Sequence, residues 1–94
     1  MHTKTWHLLV NISEQDGSTR AEAVLRTDAG AEFRHVGRAR CLPGDRDVPE
    51  IGDELAVSRA LSGLAQYLLL LSISDIEANQ GVTPESGSGE ADVH

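Results

Sequence analysis

Hydrophobic and polar residues alternate in three segments within the first 41 residues, which is the spacing of half-buried β-strands. The first segment places Trp6, Leu8, Val10 and Ile12 on one face, with Leu9 as an extra apolar residue on the other face. Residues 19–26 and 32–41 repeat the alternation, and turn-forming residues at 16–18 and 28–30 separate the three segments. The pattern predicts a three-stranded antiparallel meander with short connections.

The second segment, residues 19–26, supports two interpretations. Its alanines and glutamate favour a helix, whereas its eight residues between two turn signals are typical of a strand. We predict a strand, with Ala21, Ala23 and Leu25 on the inner face. The inner face of the third segment is also small, since it contains Gly37 and Ala39, so a helix can approach this sheet closely.

The chain from about residue 49 to 77 changes to the 3.6-residue period of an amphipathic helix. Pro49 suits a first helical turn, and Asp47 with Glu50 fits a capping box. Gly52 is unfavourable in a helix, so a start at Asp53 is an alternative. One stripe of the predicted helix contains Val57, Ala60, Leu61, Leu64, Leu68 and Leu71.

A second apolar stripe lies roughly 100° or more around the same helix, at about 100° per residue. A three-stranded sheet covers one stripe but not both. Either the helix kinks near residues 72–74, or the second stripe contacts another chain. The residues that we predict for a dimer or partner interface are Ile51, Leu55, Leu69, Ile73 and Ile76, with Ala65 between them.

Ninety-four residues with 39% hydrophobic and 24% charged side chains predict one α+β domain, residues 1–79, followed by a flexible polar tail, residues 80–94. The N-terminus has no apolar core of a signal peptide, and the uninterrupted run Leu68–Leu71 is too short to cross a bilayer. We therefore expect a cytoplasmic protein without a membrane partner.

The formal net charge is −7, and the last 18 residues contain four acidic and no basic side chains. An acidic chain is a poor general ligand for polyanions, but a local positive patch can still attract one. Such a patch is predicted on the outer face of the sheet, with Glu22 and Glu32 as partial balance. The candidate anion- or RNA-binding residues are Arg20, Arg26, Arg34, Arg38 and Arg40.

We identify no arrangement that predicts catalysis, a metal site or a cofactor. The acids between Asp45 and Glu54 lack the spacing of a calcium loop and are explained by helix capping. His7 and His35 fall on opposite faces of the sheet. Cys41 has no base placed beside it by a recognisable motif, and as the only cysteine it cannot form an intramolecular disulfide. The expectation is a protein that is not an enzyme.

The segments Gly37–Arg40, Pro43–Arg46 and Val48–Leu61, together with the Trp6 strand and Thr19–Ala23, resemble a family of small actinobacterial proteins of unknown function. The resemblance covers about residues 5–78. It implies a fold similar to double-stranded-RNA-binding domains (dsRBD-like), homodimers, and a shape comparable to that of ribosome hibernation-promoting factors. It implies no catalytic residues.

These observations lead to two functional hypotheses. The first is a non-enzymatic homodimeric domain that contacts RNA or the ribosome, associated with stress or dormancy. The second is a structural or protein-partner module that has no role with nucleic acid and docks another chain on its helix.

Overall fold

A computed structural model describes residues 1–41 and 48–80 of the chain. The elements in order are β1 (His7–Gln15), β2 (Ser18–Arg26), β3 (Glu32–Arg40) and α1 (Pro49–Gln80). The three strands form one antiparallel sheet in the order β1-β2-β3. The predicted α+β fold, a three-stranded meander packed against one long C-terminal helix, is confirmed, and residues 19–26 are a strand.

The β1–β2 connection is a two-residue turn in which Asp16 and Gly17 both have positive φ, 52° and 76°. These values are those of a type I′ turn, whose twist matches that of the flanking strands. Gln15 and Ser18 are therefore the first facing pair, and the register continues without a bulge to His7 and Arg26. The local turn chemistry sets the register of the whole hairpin.

The core is built from small side chains. Ala21 and Ala23 of β2, Ala39 of β3, and Ala56, Ala60 and Leu64 of α1 form the buried cluster. The helix backbone lies directly against Gly37, where a Cβ atom would overlap the carbonyl oxygen of Ala56 and the backbone nitrogen of Ala60. This close approach explains the alanine- and glycine-rich inner face that the sequence predicted.

The helix begins at Pro49, four residues before the alternative start at Asp53. The carbonyl of Val48 accepts the first hydrogen bonds, from the amides of Ile51 and Gly52. Gly52 lies inside the first turns, where the sheet comes so close that a Cβ would lie 2.9 Å from the Thr19 hydroxyl oxygen. Contact with the sheet thus overrides the weak helix propensity of glycine. Asp47 of the predicted capping box lies outside the described residues.

The helix does not break at residues 72–74, where the sequence allowed a kink as one of two alternatives, but continues to Gln80. Ser72 donates its hydroxyl to the carbonyls of Leu68 and Leu69 within the helix. Gln80, the first residue of the predicted tail, is the last helical residue, and the rest of that prediction lies outside the described residues. Tyr67 reaches Phe33 near the end of the sheet, with ring centroids 6.0 Å apart. The following helical residues extend about 20 Å beyond it.

By length and composition alone, Pro49–Asn79 could cross a membrane, with a mean hydropathy of 1.4 over its most apolar window. The sequence prediction had considered only the uninterrupted run Leu68–Leu71. The core helix of a soluble domain meets the same criterion when it is mostly buried, whereas 17% of this window is buried in the structure. The cytoplasmic localisation stays a prediction.

The strand registers divide the side chains into a helix-facing face and an outer face. Even-numbered residues of β1 and odd-numbered residues of β2 and β3 face the helix. The helix lies mainly over β3 and β2 and hardly touches β1. Leu8 and Ile12 consequently face the helix side of the sheet but remain about half exposed, at 49% and 46%.

Candidate interaction surfaces

The outer face of the sheet carries all five arginines predicted as an anion-binding surface. Each strand contributes alternate residues to this face, and the registers bring the β2 and β3 arginines into neighbouring rows. Five arginines against two glutamates give the face a net charge of +3 on a chain whose net charge is −7. Its members are Arg20, Arg26, Arg34, Arg38 and Arg40.

Two of these arginines are engaged in ion pairs at one end of the face. Arg34 pairs with Glu32 and, at 3.3 Å, with Glu22, while Arg26 pairs with Glu32 at 3.1 Å. The hydrogen bond from Arg34 lowers the pKa of Glu32, and the same bond raises the pKa of Arg34. Beneath them Val24 is 4% exposed, between its cross-strand partners Leu9 and Arg34. Arg26 and Arg34 are thus held in ion pairs with glutamates of the same sheet.

The other three arginines form a separate group, which we call the arginine patch: Arg20, Arg38 and Arg40. Arg20 and Arg38 are direct cross-strand partners, so their Cβ atoms are about 4.5–5.5 Å apart. Among the described residues no acidic side chain forms an ion pair with any of the three. Like charges directly opposite each other destabilise a sheet. Fold stability therefore does not account for this pair.

A depression of about 300 Å³ adjoins the arginine patch at the β1–β2 turn. Arg20 and Arg38 line it on one side, and the hydroxyl-bearing residues Ser13 and Ser18 contribute to its wall. Glu14 and Asp16 also border the depression, so negative charge is present at its rim. The patch combines cationic and hydroxyl donors, the groups that contact phosphate oxygens.

The solvent-facing side of the helix carries the second apolar stripe, which we call the helix seam: Ile51, Leu55, Leu69, Ile73 and Ile76. The first four are exposed, by 60%, 41%, 59% and 45%, and Ile76 is half-buried. Of the other predicted stripe, Ala60 and Leu64 are buried and Val57 and Leu61 pack against the core; Ala56, which the stripe did not include, is buried as well. The two stripes thus lie on different sides of the helix, and within residues 1–41 and 48–80 four of the five seam residues stay exposed.

The side chains considered for catalysis or metal binding do not converge. His7 lies on the outer face, whereas His35 faces the helix, with its ring against Gly63. Cys41 is half-buried after β3 and lines a cavity of about 640 Å³ at the helix start. Within residues 1–41 and 48–80, no group of three or more histidine, cysteine or acidic side chains is placed to hold a metal ion.

Two structural roles were missed by the sequence analysis. Arg59 donates from Nη1 to the carbonyl of Arg38 at 2.7 Å, which occupies a backbone acceptor of β3 from the helix. Gly63 gives room to the His35 ring, because a Cβ there would overlap the imidazole. The sequence showed an arginine and a glycine at these helix positions, but only the lateral placement of the helix identifies their contacts.

Comparison with known proteins identifies a family and close relatives. The model of the Rv2632c-like family matches residues 4–85. The uncharacterized protein MT1780 of Mycobacterium tuberculosis (strain CDC 1551) is 52% identical over 73 residues, which cover 78% of this chain and 77% of that protein. The uncharacterized protein Rv2632c of strain H37Rv is 51% identical over 76 residues, covering 81% of each chain.

A crystal structure of Rv2632c shows the same fold. It superimposes with a TM-score of 0.78 and 47% sequence identity, covering 88% of this chain and 98% of that chain. The resemblance to actinobacterial proteins of unknown function is thereby confirmed at the level of the family. The dsRBD-like shape and the comparison with hibernation factors stay predictions.

Proposed function

This chain belongs to the Rv2632c-like family, and we propose that it is a non-enzymatic, homodimeric domain of the cytoplasm that binds the phosphate backbone of RNA, on the ribosome, through the arginine patch. The observation that carries the proposal is the cross-strand pairing of Arg20 with Arg38 without an acidic partner in the described structure. An anion between the two guanidinium groups would remove their mutual repulsion.

The arginine patch supports backbone contacts rather than sequence reading. Base recognition on a single strand uses aromatic platforms, and the chain has only three aromatic residues: Trp6, Phe33 and Tyr67. Phe33 and Tyr67 contact each other across the helix–sheet interface. The indole N–H of Trp6 donates a hydrogen bond to the Asp28 carboxylate. Recognition of RNA by shape and phosphate contacts needs no such platform.

Self-association is the second part of the proposal, and the helix seam supports it. Along the solvent side, large residues at both ends of the seam flank the small Ser58, Ser62 and Ala65 in the middle. In an antiparallel pair of such helices, the small residues allow close approach at the crossing and the large residues of one end meet those of the other. A second copy is thus a suitable occupant of the seam.

We expect Arg20→Gln/Arg38→Gln to weaken association with RNA at least about 10-fold at 50 mM salt, because each lost phosphate contact also removes its counterion release. The measurement is co-sedimentation with purified ribosomes, together with binding to a labelled RNA duplex of about 20 base pairs. Arg26→Gln/Arg34→Gln is the matched control, since it removes the same charge from the ion-paired end of the face. We expect that control to retain binding within about 3-fold.

Equal losses in the two double variants would contradict the arginine patch as the binding surface. If the native protein does not associate with ribosomes or duplex RNA at 50 mM salt, the RNA proposal fails. The exposed helix seam would then favour the alternative, a protein-partner module without a nucleic-acid role.

The helix seam has its own test. We expect Leu69→Lys/Ile73→Lys to weaken the helix-mediated contact at least about 100-fold, because two charges would be placed at an apolar interface. Sedimentation velocity at 5–200 µM measures the change in assembly. Leu70→Lys is the control: Leu70 is 64% exposed but lies outside the seam. An unchanged distribution in the double variant would contradict the helix-mediated dimer.

A further inference from the structure

The two edge strands of the sheet, β1 and β3, differ in the features that prevent pairing with another strand. The β3 edge has charged side chains along its length, and Arg59 occupies the carbonyl of Arg38 there. These are devices that protect an edge from pairing with another strand. Strand β1 has none of them: His7–Gln15 contains no proline, lysine or bulge, and its only charged side chain is Glu14.

The hairpin geometry identifies which backbone groups of β1 are free. In the type I′ turn the carbonyl of Gln15 accepts from the amide of Ser18, so Gln15 forms a hydrogen-bonded pair with β2. Backbone direction alternates along an antiparallel strand. The amides and carbonyls of Leu8, Val10 and Ile12 therefore point away from β2, towards the open edge.

The same three residues carry the apolar side chains of β1 on the helix side of the sheet, where the helix hardly covers them. Leu8 and Ile12 are half exposed, and Val10 is partly buried against the core. The edge thus combines unpaired backbone donors and acceptors with an apolar stripe. This combination is what a strand from another chain requires.

We infer that β1 pairs antiparallel with the β1 of a second copy of this chain, with the two-fold axis at Val10, to form a continuous six-stranded sheet. In this register Val10 faces Val10 of the other copy, and Leu8 faces Ile12. All three facing pairs use outward-pointing backbone groups, and each forms two hydrogen bonds. Apolar residues meet apolar residues in these three pairs on the helix side, which adds about 0.2–1 kcal/mol for each.

The register is also compatible with charge. Glu14 would lie opposite Trp6, and His7 opposite Ser13, so no two like charges face each other. A register shifted to Asn11 would place Glu14 opposite Leu8 and lose the continuous apolar stripe. The self-complementary spacing of Leu8, Val10 and Ile12 selects a second copy as the occupant over an unrelated extended segment.

This interface is separate from the arginine patch and the helix seam, so it goes beyond the proposed function. Two different two-fold interfaces on one chain generate assemblies larger than a dimer. With both contacts formed, the native protein is expected to assemble beyond a dimer at high micromolar concentration.

Ile12→Pro tests the edge with little damage to the fold. Proline is tolerated on an edge strand where its missing N–H faced solvent, and the amide of Ile12 points to the open edge. We expect the variant to keep its circular dichroism spectrum and to weaken the β1 contact at least about 10-fold. Ile12→Val, which retains the amide, is the matched control. If Ile12→Pro does not fold, Ile12→Lys is used instead, because it places a charge on the edge strand.

Sedimentation velocity on four proteins separates the two interfaces: the native chain, Ile12→Pro, Leu69→Lys/Ile73→Lys, and their combination. We expect the native chain to form assemblies beyond a dimer. Each variant alone is expected to form dimers, and their combination is expected to be monomeric. If Ile12→Pro changes nothing in either background, the β1 inference is overturned while the helix seam stands. If only Ile12→Pro reduces the assembly, the helix seam fails and the β1 contact stands.

A crosslink tests the register independently. In a Cys41→Ala background, Val10→Cys places two thiols at the two-fold axis, with Cα atoms about 5.5 Å apart, within disulfide range. We expect it to form a covalent dimer on mild oxidation. Leu8→Cys is the matched control, because its symmetry mate lies about 14 Å away. Equal crosslinking of the two variants, or none with Val10→Cys, would overturn the proposed register.

Discussion

Replacing Gly37 by alanine is expected to unfold the domain or to lower its free energy of unfolding by at least about 3 kcal/mol. The new Cβ would overlap the backbone of α1 at Ala56 and Ala60 and lie 2.9 Å from the carbonyl carbon of Arg59. Main-chain atoms within a helix cannot rotate away, so the whole helix must move off the sheet. Urea denaturation followed by circular dichroism measures the loss.

Gly63→Ala is the control for the Gly37 variant, because it adds the same methyl group at the same helix–sheet interface. Its Cβ would meet only the ring of His35, an exposed side chain that can change rotamer. Alanine also gains about 1 kcal/mol of helix propensity over glycine. We expect Gly63→Ala to change stability by less than about 1 kcal/mol. Equal losses in the two variants would contradict the distinction between backbone and side-chain contacts.

Leu64→Ala is expected to cost about 2–4 kcal/mol, the second-largest effect that the structure predicts. Leu64 is 4% exposed and is the largest side chain in the buried cluster, which otherwise consists of alanines. Its removal leaves a cavity that small neighbours cannot fill. Since small domains are stable by only about 5–15 kcal/mol, the loss is a large fraction of the total. The midpoint of chemical denaturation measures it.

Leu70→Ala removes the same atoms from the same helix at a position that is 64% exposed. We expect a change of less than about 0.5 kcal/mol, as for other surface substitutions. Comparable costs at the two positions would contradict the assignment of Leu64 as buried and Leu70 as exposed. The comparison is made at a protein concentration low enough to dissociate self-associated species, because binding adds to apparent stability.

The five arginines show what sequence reasoning could and could not find in the candidate site. Parity along the strands placed them on one face, and this placement agrees with the structure. Their division into two groups was not predictable, because it depends on which residues face each other across β2 and β3. Arg34 lies beside Glu22 and Glu32, whereas Arg20 faces Arg38.

The helix start shows a similar limit. Pro49 predicted the observed start, but Gly52 favoured a later one. Propensity treats glycine as a cost within a helix, and it does not contain the position of Thr19 on a strand distant in sequence. The close contact between Gly52 and Thr19 outweighs the low helix propensity of glycine, so the helix includes position 52.

The sequence by itself determined the three strands, the long helix, the two apolar stripes and the shared face of the arginines. These features follow from local periodicity and turn chemistry, which a single segment carries within its own residues. Only the tertiary structure decided that the helix lies over β2 and β3, so that within the described part of the chain β1 has an open edge and half-exposed leucine and isoleucine side chains. The lateral position of the helix depends on its close approach to Gly37, a contact between residues far apart in the chain, and periodicity does not encode such contacts.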